Sequence, residues 1–87
     1  MQINYTENFR KNYRKRITHK KSLDTKFQER LQLFFTNPQS SLLRVHKLAG
    51  AKKDLYAFSV TGDIRVIYYQ EDDKIFLLDI GTHNQVY

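Results

Sequence analysis

The sequence predicts an α+β domain in which an amino-terminal strand and a two-helix hairpin lead into an antiparallel β-meander, the helices packing on one face of a roughly four-stranded sheet. Three observations predict it. Apolar residues recur at helical spacing between Phe9 and Phe35, runs rich in β-branched and aromatic residues follow Leu55, and short polar turns separate those runs. At 87 residues the chain has room for one domain, 1–87, built on one core.

Gln2 to Tyr5 alternates polar and apolar side chains and reads as a short strand. Thr6 follows as an N-cap, with Glu7 in the first turn, where the helix dipole favours a carboxylate. Phe9, Tyr13 and Ile17 then form one apolar stripe, while Arg10, Lys11, Arg14, Lys15 and Arg16 occupy the remaining surface. After a break near Thr18-His19, Ser22 is the expected cap of a second helix carrying Leu23, Phe27, Leu31, Phe34 and Phe35 on one side. Asn37-Pro38 ends it, because proline cannot donate the next backbone bond and pushes its predecessor out of the helical region. Ser40 to Ala51 reads as a structured connection with a turn at Gly50. Strands are expected over Leu55–Thr61, Ile64–Gln70 and Lys74–Ile80, joined by turns at Gly62-Asp63 and Glu71-Asp72-Asp73. In the middle strand Ile64, Val66 and Tyr68 share one face and Arg65, Ile67 and Tyr69 the other. With the helices on the Val66 face, a ligand would lie on the face of Arg65.

Composition narrows the classes of function. The 40% hydrophobic content suits a packed core and excludes a disordered chain. No run is long enough to cross a bilayer and the amino terminus has no secretory signal, so the expected location is cytoplasmic and no membrane partner is expected. Cysteine is absent, which excludes disulfides and thiolate metal sites. A net charge of +6 implies attraction to a polyanion, either nucleic acid or an acidic protein.

The candidate site residues follow from this frame. Arg65, set among apolar strand residues, has two uses: a cross-strand ion pair with Asp79 or Glu71, or a fork that holds a phosphate through two parallel hydrogen bonds. His83 lies just past the last expected strand, where it is either a solvated side chain or a group that moves protons near neutral pH. His46 could equally pack against the sheet edge, and His19 reads as surface. The three histidines lack metal-ligand spacing, so no metal and no cofactor is expected. No acid interrupts the stretch from Arg10 to Lys21, which marks Arg10, Lys11, Arg14 and Lys15 as contacts for a phosphate backbone. Tyr87 could stack on a base or tuck against the sheet. No phosphate-cradling glycine loop or nucleophilic serine constellation is visible.

The motifs His46-Lys47-Leu48-Ala49-Gly50, Gly62-Asp63-Ile64-Arg65-Val66-Ile67-Tyr68 and Gly81-Thr82-His83-Asn84-Gln85-Val86-Tyr87 resemble the RelE/ParE superfamily, nearest its YafQ branch, and the resemblance covers essentially the whole chain. It implies the RelE-like order of a strand, two helices and a meander. It also implies a toxin of a type II toxin–antitoxin pair that cuts messenger RNA in the ribosomal A site and contacts ribosomal RNA. The expected protein partner is a small acidic antitoxin. His83 matches the general acid of that branch, His46 and Asp63 match residues that are candidates for the base, Arg65 matches the strand arginine, and Tyr87 a terminal aromatic. Lys47, Lys52 and Lys53 would assist electrostatically. Ser59 stands where YafQ-type proteins carry a further histidine, and Ile64 where they carry tryptophan. Two other readings share the fold: a ParE-like inhibitor of DNA gyrase, and a non-catalytic relative that only binds an antitoxin.

Overall fold

The chain runs β1 (Gln2–Tyr5), α1 (Glu7–Arg16), α2 (Lys21–Thr36), β2 (His46–Lys47), β3 (Tyr56–Ser59), β4 (Ile64–Glu71), β5 (Lys74–Thr82) and α3 (His83–Val86) in a computed structural model that describes residues 1–50 and 54–87. Among the described residues no helix is long and apolar enough to cross a membrane.

Thr6 caps α1 as its side-chain chemistry requires, accepting the Phe9 amide at 3.2 Å and donating its own hydroxyl to the Leu77 carbonyl at 2.7 Å. One threonine thus starts the helix and ties it to the last strand. Phe9 and Ile17 are buried and Tyr13 is half-buried, so the stripe at helical spacing does face the core. The α2 helix ends at Thr36 before Asn37-Pro38 as expected, and departs from expectation at its start and in the facing of one side chain. It begins at Lys21, not behind a Ser22 cap, because the turn after α1 already presents the Lys20 carbonyl to the Leu23 amide at 3.0 Å. Phe27, Leu31 and Phe34 are buried, whereas Phe35, one residue and about 100° further round the helix, is 42% exposed. The two helices meet through aromatic rings, Phe27 lying 5.8 Å from Phe9 and 5.1 Å from Tyr13.

Among the described residues the sheet has five strands in the order β1-β5-β4-β3-β2, one more than the sequence suggests. The extra strand, β2, lies within the Ser40–Ala51 connection and pairs antiparallel with β3, His46 opposite Ala57 and Lys47 opposite Tyr56. Both its side chains are exposed, so only backbone pairing defines it. At the far edge β1 runs parallel to β5, Gln2 opposite Lys74 and Tyr5 opposite Leu77. The meander extends further than expected along β4 and β5, while β3 is shorter.

Leu77 and Ile80 are both fully buried in the helix-side core although they are three residues apart, an odd spacing that simple alternation would send to opposite faces. A register shift reconciles them: Ile67 pairs with Asp79 but the next residue, Tyr68, pairs with Leu77. This bulge slips one residue of β5 past β4. The helix-side core then gathers Phe9, Ile17, Phe27, Leu31 and Phe34 against Phe58, Val60, Ile64, Val66, Tyr68 and Ile75. On the opposite face a smaller cluster of Leu48, Ala57, Ile67 and Val86 is closed by α3, which turns back over the sheet.

Candidate functional site

The site is assembled where β2, β4 and α3 approach one another on the face away from the long helices. Val66 is fully buried under the helices, so its neighbour Arg65 points to this other face, as alternation predicts. Its directly opposed partners are Ser59 on β3 and Gly81 on β5. The alternative of a structural ion pair with Asp79 is not realised. Asp79 instead accepts from Arg16 at 3.3 Å and from Asn12 at 2.7 Å, and Glu71 stands opposite Lys74 in the register.

α3 brings His83 and Tyr87 to the same groove. Thr82 and Gln85 form a reciprocal capping box, in which the Thr82 amide donates to Gln85 Oε1 at 2.8 Å. This fixes the helix start directly after β5 and places His83 and Tyr87 one turn apart on one face. Their rings meet edge to face with centroids 4.4 Å apart. Arg65 Cζ lies 6.0 Å from the centre of the Tyr87 ring, the outer limit of a cation–π contact. From the other side, His46 Nε2 lies 3.4 Å from the Tyr87 hydroxyl. Tyr87 is thereby flanked by both histidines and the arginine. His46, Lys47, Leu48, Ala49, His83 and Tyr87 line an open cavity of about 370 Å³, which is within the range of small-ligand sites.

His46 Nδ1 is 2.9 Å from the Arg44 carbonyl. A carbonyl can only accept, so this nitrogen carries the ring proton and the neutral imidazole keeps its lone pair on Nε2, the atom facing Tyr87. Both histidines are exposed to solvent.

Not every expected residue joins them. Asp63, exposed at the β3–β4 turn, lines a different cavity of about 590 Å³ together with Lys15, His19 and Lys20. Arg10 and Arg14 rim a third hollow, over Tyr5, Phe9, Tyr13 and Phe27. Lys11 is exposed on the same helix. The basic surface of α1 is therefore divided: Lys15 faces the Asp63 cavity, and Arg10 and Arg14 face an aromatic patch. Lys52 and Lys53 lie outside the described residues. Ile64 is part of the helix-side core and Ser59 lines a hollow with Arg44, so neither departure from the YafQ pattern falls among the residues lining the histidine groove. Among the described residues no three His, Cys, Asp or Glu side chains stand close enough to hold a metal ion.

Two contributors were not read from the sequence. Gln85 was signalled by the pattern Thr82-His83-Asn84-Gln85, which has the spacing of a capping box. Arg44 acts through its backbone, and nothing in its side-chain type signals that.

A family model described as a bacterial toxin of type II toxin–antitoxin systems, YafQ, matches residues 1–87. Among solved structures, a copper-bound mutant toxin from Helicobacter pylori is 22% identical, with 100% of this chain and 99% of that one covered and a TM-score of 0.78. YafQ from E. coli is 23% identical, with 99% and 97% covered and a TM-score of 0.78. A chain of the E. coli DinJ–YafQ toxin–antitoxin complex is 25% identical, with 99% and 96% covered and a TM-score of 0.72. Comparison with curated proteins finds no match.

Proposed function

The chain belongs to the YafQ family of toxins of bacterial type II toxin–antitoxin systems, and on that premise we propose that it is an endoribonuclease that cuts messenger RNA in the ribosomal A site and so blocks translation. One observation carries the reading: His46, His83 and Arg65, remote from one another in sequence, converge on the single ring of Tyr87. Two imidazoles and a guanidinium around one groove are the groups that RNA transesterification requires.

In this reaction the ribose 2′-oxygen attacks the adjacent phosphorus. The 2′-hydroxyl proton passes to a base, the O2′–P bond forms, the P–O5′ bond breaks, and an acid delivers a proton to O5′. The products are a 2′,3′-cyclic phosphate and a 5′-hydroxyl end. His83 is the acid; His46 and Asp63 are the candidates for the base. Arg65 binds the non-bridging oxygens as charge builds on the phosphorane, with Lys47 adding positive potential at the rim and Lys52 and Lys53 assisting. Tyr87 offers its ring to a base of the message. DNA lacks the attacking hydroxyl and is not cut.

The ribosome supplies what this sparse set does not, by holding the message in line; such orientation is worth on the order of 7 kcal/mol or more. The cations of α1, Arg10, Lys11, Arg14 and Lys15, contact ribosomal RNA through its phosphates. An acidic antitoxin neutralises the +6 chain when the toxin is held inactive, in keeping with the DinJ partner of E. coli YafQ.

Primer extension on cellular messages after induction tests the reading. Discrete breaks with the wild type and none with a folded His83→Ala variant are expected. Full cleavage by that variant removes His83 as the acid, and DNA damage without message breaks replaces the nuclease by gyrase inhibition.

A further inference from the structure

We propose that Arg44 is a positioning residue whose left-handed backbone turns its carbonyl onto His46 Nδ1, fixing the imidazole in the tautomer that presents a basic Nε2 to the groove. The catalytic consequence rests on the nuclease reading; the tautomer itself does not.

Arg44 has φ of 48°, a region that an L residue with a side chain enters only against steric resistance. Such a conformation persists where its surroundings over-determine it. Here they do so on both sides. Before the turn, the Leu42 carbonyl accepts from Arg30 Nη1 at 2.9 Å, Leu43 is fully buried, and the Leu43 carbonyl accepts from the Ser59 amide at 2.7 Å. After it, His46 is registered opposite Ala57 in the sheet. Between two anchored segments the chain turns left-handed at Arg44, and the carbonyl of that residue meets the imidazole 2.9 Å away.

The Arg44 side chain is not what serves His46. It lines a separate hollow with Lys26 and Arg30. The backbone alone makes the contact, so any residue able to hold the left-handed turn can do the same work. An unrestrained neutral histidine in water prefers its proton on Nε2, which would leave the groove-facing nitrogen unable to accept one. The Arg44 carbonyl reverses that preference, and it stabilises the imidazolium once Nε2 has taken the 2′-hydroxyl proton, because Nδ1–H remains hydrogen-bonded. This selects His46 over Asp63 as the base, since Asp63 lines a different cavity.

Ring-nitrogen NMR correlations on ¹⁵N-labelled protein read the tautomer directly, with cleavage measured in parallel on Arg44→Gly and Arg44→Val. Glycine enters the left-handed region freely and a β-branched residue resists it. The wild type and Arg44→Gly are expected to carry the neutral-state proton on Nδ1, and Arg44→Val to move it toward Nε2. The kcat/KM of Arg44→Val should fall about tenfold or more below that of Arg44→Gly, part of the roughly 10²–10⁴-fold that a general base supplies. If the valine variant does not fold, Arg44→Ala takes its place, with a smaller movement in the same direction. A wild-type His46 protonated on Nε2, or glycine and valine variants with the same tautomer, overturns the proposal. Should the wild type cut no RNA, the nuclease reading falls, and the nitrogen spectra still decide whether Arg44 sets the tautomer.

Discussion

Gly81→Ala is a one-carbon test of how the site is held. A Cβ on Gly81 would lie 2.5 Å from Gln85 Oε1, 2.8 Å from Arg16 Nη1 and 3.0 Å from Gln85 Cβ. Gly81 lies in regular strand and does not occupy the left-handed region, so the whole penalty is steric. Both crowded groups are already engaged: Gln85 Oε1 accepts from the Thr82 amide at 2.8 Å, and Arg16 Nη1 donates to the Ile80 carbonyl at 3.0 Å. Displacing the cap costs about 0.5–2 kcal/mol and weakening a charged hydrogen bond about 1.5–3 kcal/mol, against which a glycine-to-alanine change returns about 0.4–1 kcal/mol by restricting the unfolded chain. The net loss is roughly 1–4.5 kcal/mol, a sizeable part of a small domain's 5–15 kcal/mol. For a chain of this size that lowers the melting midpoint by roughly 5 °C or more. Far-UV circular dichroism during thermal and urea unfolding reads it. In a Gln85→Ala background the penalty should shrink by about 0.5 kcal/mol or more, because the two positions are coupled. A Gly81→Ala protein as stable as the wild type would show that Gln85 and Arg16 move aside freely.

Asp79→Ala removes the acceptor shared by Asn12 and the Ile80 amide, leaving a buried amide side chain unpaired, and should lower stability by about 1–3 kcal/mol; an unchanged urea midpoint would contradict this. Arg65→Lys keeps the charge but loses the two-pronged geometry, so message cleavage should drop at least about tenfold while the melting midpoint holds; equal cleavage removes Arg65 from the phosphate. Burial, and then the neighbouring Tyr56, push the Tyr68 phenol up to about 12 from its ordinary 10.0. The folded state therefore favours the protonated phenol, and its contribution to stability is complete below pH 10 and lost as pH rises through about 12. Denaturant midpoints that stay level across that interval would refute the assignment.

The long elements were legible because their side chains obey simple periods. Phe9, Tyr13 and Ile17 name the buried side of α1, and Arg65 and Val66 divide the two faces of β4. What escaped was written in the backbone. β2 is two exposed residues recognised only by pairing with β3, and the start of α2 is set by the Lys20 carbonyl with no side-chain cap. The bulge opposite Ile67 and Tyr68 leaves no mark in composition, yet it decides which side chains of β5 face the helices. His46, His83 and Arg65 were identifiable one by one. Their meeting at Tyr87 depends on α3 folding back, and Asp63, only two residues from Arg65, falls into a different cavity because it belongs to the turn.

The parallel pairing of β1 with β5 has a temporal meaning. Thr6 and Leu77, joined by a hydrogen bond, are separated by 71 positions in the chain. A polypeptide emerging from its amino end can form the α1–α2 hairpin early, but the edge strand must wait until Lys74 to Leu77 have been made. His83 and Tyr87 follow later still. A nascent chain short of Leu77 therefore carries an unpaired first strand, and one short of Tyr87 lacks the ring that His46, His83 and Arg65 surround.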